Sequence, residues 1–171
     1  MFLLRVALCL TLVLCCWKFG DVKNWRNYYS TILYLIVNNL LYSYFVGDKN
    51  VLWKLEPDVL LNTSFSFLVQ NFINFPCIVI LFLTYLPKSP KKVITYLLIS
   101  GFILVGIETI MFITGKVTYH NGWNYWWSVA FNFLWAIMLR FHYLKPIPAW
   151  VVSFLITAFF IIYFHVPLPK H

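Results

Sequence analysis

The sequence predicts an all-α protein, an integral membrane bundle of six transmembrane helices with short loops, forming a single domain over residues 1–171. Three observations predict it. First, the chain is 62% hydrophobic and only 11% charged, with a mean hydropathy of +0.80. A soluble domain of this length cannot hide so much apolar surface, because small globules keep a large share of their residues in contact with water. Second, apolar runs of about 20 residues, the length a helix needs to cross the hydrocarbon core, follow one another almost end to end. Third, the short segments between those runs hold most of the charges.

The first apolar run, about 2–17, reads FLLRVALCLTLVLCCW and is the shortest. It lacks the basic start and small-residue cleavage site of a signal peptide, so a retained helix is expected. The second run covers about 28–46 and the third about 59–86. The third is long for one span and contains Pro76, which removes a backbone donor and is expected to kink the helix. The fourth covers about 93–114, the fifth about 124–143 and the sixth about 147–166. Pro87, Pro90, Pro146, Pro148 and Pro167 punctuate their ends, where helices start or stop.

A formal net charge of +8 would suggest a nucleic-acid partner in a soluble protein. Here the basic residues lie in loops, where they set topology and meet lipid headgroups. The longest cluster, Lys88-Ser89-Pro90-Lys91-Lys92, is too short to form a nucleic-acid platform. The expected partners are the lipid bilayer and a further membrane protein, with no nucleic acid. Lys18, Lys23, Arg26, Lys88, Lys91, Lys92, Arg140 and Lys145 collect on one side; Arg5, Lys49, Lys54, Lys116 and Lys170 collect on the other, together with Asp48, Glu56 and Asp58. The positive-inside rule then puts loops 18–27, 87–92 and 144–146 in the cytoplasm and both termini outside.

Intramembrane polar residues must find partners, so they carry the functional information. Thr31, Tyr34, Asn38 and Tyr42 share one stripe of the second helix, since residues three and four apart lie on one face. The third helix carries Asn62, Thr63, Ser66, Gln70, Asn71 and Asn74, and the fifth carries Asn124, Ser128 and Asn132. Glu108, in the fourth, is the only carboxylate inside any apolar run. Asn38, Asn71 and Asn132 fall near mid-helix, with Glu108 about 6 Å to the outer side of its own midpoint. Two readings stand side by side. The amides are interhelical glue, each contributing on the order of 1 kcal/mol, or they line a polar cavity with Glu108.

Residues 119–128, YHNGWNYWWS, concentrate a histidine, two asparagines and three tryptophans. A reversal at Gly122 would bring His120 toward Glu108 at the outer mouth of the bundle, and Asn124 is placed to cap the fifth helix. Most tryptophans read as interfacial belt. Cys9, Cys15, Cys16 and Cys77 lack the spacing of a metal site or a disulfide framework. His142 closes the far end of the fifth helix, roughly 27 Å from Asn124, and cannot share a metal with His120. No metal or other cofactor is expected, and no hydrolase or nucleotide-binding motif is present.

The blocks Trp17-Lys18-Phe19-Gly20-Asp21-Val22-Lys23-Asn24-Trp25, Asn39-Leu40-Leu41-Tyr42, Phe75-Pro76 and His120-Asn121-Gly122-Trp123-Asn124 resemble those of an uncharacterised family of small multi-pass membrane proteins. That family occurs in endospore-forming Firmicutes. The resemblance implies a bacterial cytoplasmic-membrane protein and a link to the spore-former's lifestyle, and it supplies no activity. The expected function is a non-enzymatic component or partner of a membrane assembly. A small-solute or ion carrier using Glu108 is one alternative. An intramembrane enzyme acting on a lipid-like substrate, with Glu108 and His120 as acid and base, is another. The candidate binding residues are Glu108, His120, Asn38, Asn71, Asn124 and Asn132.

Overall fold

The computed structural model describes residues 2–46, 51–56 and 63–167, with the backbone alone at residues 2–5 and 63. The chain is mostly helical. α1 (Phe2–Phe19) leads through a 3-10 turn at Val22–Asn27 into α2 (Tyr29–Val46). After β1 (Trp53–Leu55), α3 (Thr63–Val69), a π turn (Gln70–Asn74) and α4 (Phe75–Thr84) run on as one rod. α5 (Pro90–Ile113), β2 (Val117–Tyr119), α6 (Tyr125–Leu144) and α7 (Pro146–Tyr163) complete the fold.

Proline sets several of these boundaries. α5 opens at Pro90 and α7 at Pro146, because the first turn of a helix needs no donor from its own N–H. The fourth helix therefore starts three residues before the expected position 93. Pro76 sits in the first turn of α4. It cannot donate to the carbonyl of Phe72, one turn back. The preceding turn widens instead, and the Phe75 N–H reaches the carbonyl of Gln70. The distortion is a π turn on the N-terminal side of the proline. Residues 59–62, the expected start of this segment, and Asn62 with them, lie outside the described residues.

A two-stranded antiparallel ribbon departs from the all-α expectation. β1 pairs with β2 in the register Trp53↔Tyr119, Lys54↔Thr118 and Leu55↔Val117. The two strands follow α2 and α5, so the same end of the bundle delivers both. Gly115 (φ 66°) stands before β2, and Asn121 (φ 51°) with Gly122 (φ 85°) after it. These left-handed residues turn the chain out of α5 and into α6.

Among the described residues, three helical rods are long and apolar enough to cross a membrane by length and composition: Ser64–Thr84, Pro90–Ile113 and Pro146–Tyr163. α2 and α6 carry more polar side chains, and they form the centre. α6 packs on α2, α5 and α7, while α2 also packs on α4, which holds α1. By contrast only 6% of the apolar window of α5 and 11% of that of α7 is buried. The apolar α5 and α7 thus lie on the outside.

Two apolar cores result. The inner one joins α1, α2, α4 and α6 through Cys16, Ile32, Ile36, Val79, Leu83 and Leu139. The outer one gathers Val46, Leu52, Trp123 and Val166 beneath the ribbon. At the opposite end, the Asp21 N–H donates to Thr84 Oγ1 at 3.0 Å, and its carboxylate accepts from Asn24 and Tyr28. These contacts tie the turn between α1 and α2 to the end of α4.

Candidate functional site: a cavity between α2, α6 and α7

A cavity of about 160 Å³ lies between α2, α6 and α7, in the gap that separates the two cores. On α2 its wall runs from Tyr34 to Val46, a length of about 18 Å at the rise of an α-helix. α2 and α7 run in the same direction, and each packs on α6 rather than along the other. That leaves the slot open between them.

The floor is a buried polar knot. The Tyr34 hydroxyl hydrogen-bonds Ser153 Oγ, which also donates to the carbonyl of Ala149. The His142 ring stacks on Tyr34 at 4.1 Å, and Trp150 meets Tyr34 edge-on at 4.9 Å. Behind them His142 Nδ1 pairs with Thr31 Oγ1 at 3.1 Å, both side chains being buried. Each polar group here has a partner, as a group removed from water requires.

The roof is tied to the ribbon. The Tyr42 ring stacks on Trp53 at 5.4 Å, and its hydroxyl accepts from the N–H groups of Leu52 and Trp53 at 3.1 and 3.3 Å. Trp123 donates through Nε1 to Ser128 Oγ at 2.8 Å. Its ring lies 5.3–5.8 Å from those of Phe131, Phe160 and Phe164. Trp123 therefore belongs to the interior, whereas Trp126 and Trp17 are largely exposed. Trp127, expected as an interfacial anchor, packs on Phe160, Tyr163 and Phe164 of the last helix and its end.

The residues singled out in the sequence divide among four places. Asn38 lines the cavity and donates through Nδ2 to the carbonyl of Tyr34 at 2.8 Å. Asn71, fully buried, accepts from Asn39 Nδ2 at 3.1 Å and donates to the carbonyl of Phe67. It joins the π turn to α2. Asn132 donates to Glu108 Oε2 and to the carbonyl of Ser128, linking α6 to α5. Asn124 caps α6, its Oδ1 accepting from the N–H groups of Trp126 and Trp127 at 3.0 and 3.2 Å; such caps contribute about 1 kcal/mol. The shared level of amides at mid-helix therefore resolves into separate pairs, and only Asn38 of the set borders the cavity.

Glu108 is approached by Tyr119, not by His120. The Tyr119 hydroxyl donates to Glu108 Oε1 at 2.8 Å, while exposed His120 pairs through Nε2 with Thr118 Oγ1 at 2.8 Å. Alternation along β2 and its continuation is the reason. Residues 117 and 119 face the helices, and 118 and 120 face away, where Thr118 also donates to Glu56. Burial raises the Tyr119 phenol above its ordinary range; a bond with Ser128 opposes this, and the bond with Glu108 and its charge add to it. No three His, Cys, Asp or Glu side chains among the described residues converge as metal ligands.

Sequence reasoning set His142 aside and passed over Ser153 and Thr157 of the last helix. Their spacing of four, continuing the stripe logic applied to α2, was the available signal. No protein-family profile, curated protein or solved structure matches the chain.

Proposed function

We propose that the protein is a six-span integral protein of a bacterial cytoplasmic membrane that acts without chemistry, holding an apolar, lipid-like molecule in the cavity between α2, α6 and α7. The carrying observation is the cavity wall itself, built by aliphatic and aromatic side chains of three helices. Glu108, His120 and His142, the groups suited to acid–base work, are not part of that wall. Ligand sites of this kind are concave, mostly apolar and carry few polar groups.

The membrane setting is supported by what the outer helices present. On α5, Ile94, Phe102 and Ile113 are 63%, 66% and 77% exposed. Contiguous apolar surface of this kind is a liability in water and the natural contact with lipid. The resemblance to small multi-pass proteins of spore-forming bacteria agrees with this setting. Six spans with both termini on the outer face complete the proposal, the Lys/Arg asymmetry of the loops giving the orientation.

Photolabelling of the protein in vesicles with an alkyl-diazirine lipid tests it. Label is expected on the facing sides of α2 and α7, and Leu134→Trp, which fills the slot from α6, is expected to reduce it several-fold. Label confined to the outward face of α5 and indifferent to Leu134→Trp would overturn the proposal.

A further inference from the structure

The polar groups that border the cavity are not equivalent. The hydroxyls of Tyr34 and Ser153 satisfy each other, and the Tyr42 hydroxyl is taken up by Leu52 and Trp53. Asn38 and Thr157 differ from these. Asn38 uses Nδ2 on the carbonyl of Tyr34, which leaves Oδ1 without a hydrogen bond among the described residues. Thr157 Oγ1 likewise has none among them, and both side chains are half-buried.

Their positions match. Asn38 lies four residues beyond Tyr34 on α2, and Thr157 four residues beyond Ser153 on α7. Tyr34 and Ser153 touch, and the two helices run the same way, so Asn38 and Thr157 occupy one level, about 6 Å above the floor. From Asn38 to Val46 the slot continues outward for about 12 Å, walled by rings and aliphatic chains such as Phe131, Trp135, Phe160 and Ile161.

Building on the functional reading above, we infer that the cavity selects an uncharged amphiphile bearing a hydroxyl-type donor. Its head sits between Asn38 and Thr157, and its hydrocarbon tail points toward the ribbon. The Asn38 carbonyl oxygen only accepts, so the head must donate; the threonine hydroxyl both donates and accepts, so a hydroxyl satisfies the pair. Neutrality follows from the wall, which holds no Lys, Arg, His, Asp or Glu. Asn38 stands near the middle of α2, the depth at which an unpaired charge is most costly. A phosphate or carboxylate head finds no counter-charge there.

Competition in phosphatidylcholine vesicles tests this, with a diazirine-bearing hexadecanol as the photolabel and three competitors: hexadecanol, hexadecyl methyl ether and hexadecyl phosphate. Hexadecanol is expected to displace the label roughly five- to tenfold better than the ether, the worth of one neutral hydrogen bond, and the phosphate to be weaker still. Asn38→Leu is expected to bring alcohol and ether closer, and the nearly isosteric Thr157→Val, which removes a donor that both alcohol and ether oxygens accept from, to weaken both. Thr157→Val keeps the test available if Asn38→Leu does not fold. Equal competition by all three compounds in the unaltered protein would overturn this inference and leave the lipid-holding function standing. No label in the cavity at all would overturn both.

Discussion

Tyr119 and His120 are neighbours in sequence whose side chains leave the ribbon on opposite sides, and that alone decides which of them meets Glu108. A phenol donating to a carboxylate holds β2 down on the end of α5, and the bond contributes about 1 kcal/mol by the usual exchange with water. The phenol is shifted above its ordinary range, so its contribution is fully present below the unfolded value of about 10. It is lost as the pH climbs through the higher folded value. Thermal unfolding in detergent is therefore expected to show a gap between the parent and Tyr119→Phe that is constant through neutral pH and closes only in strong alkali. A gap that closes on the acid side instead would overturn this account of the contact.

Among the elements, α5 and α6 pack closely at Gly101. A methyl group on Gly101 would stand 2.3 Å from the ring of Phe133, so the two helices meet where one has no side chain. Gly101→Ala is expected to destabilise the protein by about 1–3 kcal/mol through overpacking, and Phe133→Leu in the same chain to recover part of it. Unchanged melting of Gly101→Ala would show the ring free to swing away. Of the six expected apolar spans, three stand among the described residues as rods long and apolar enough to cross a membrane; these were legible because such a run is a matter of composition and length. The ribbon was not. Strands of three residues fall below any periodicity, and Trp53 pairs with Tyr119, 66 positions further along the chain. Ser153 and Thr157 escaped notice for another reason. A serine in a helix commonly satisfies itself on the carbonyl one turn back, as Ser153 does on Ala149, so its residue type alone does not announce a role. The π turn at Gln70–Asn74 was not foreseen, because Pro76 announces a lost donor and not the widened turn that takes up its effect.

At the scale of the whole molecule, the loops after α4 and after β2 lie at opposite ends of α5. Single cysteines at Lys88 and Asn121, in a chain whose four native cysteines are replaced, report on this directly. With a membrane-impermeant maleimide on intact cells, Asn121→Cys is expected to label, and Lys88→Cys only after permeabilisation. The reversed pattern would invert the orientation, and labelling of both from outside would remove α5 as a span.

The inverted gradient of polarity, with α2 and α6 inside and α5 and α7 outside, also bears on how the chain enters a bilayer. Released alone into lipid, α6 would bring Arg140 and His142 with no partner and Asn132 with only the carbonyl of Ser128, a cost that opposes insertion. Other helices supply the remedy: α5 arrives just before it with Glu108 for Asn132, and α2, earlier in the chain, offers Thr31 to His142. In the proposed membrane setting, integration of the central helix would thereby be coupled to the arrival of the helices that pack on it.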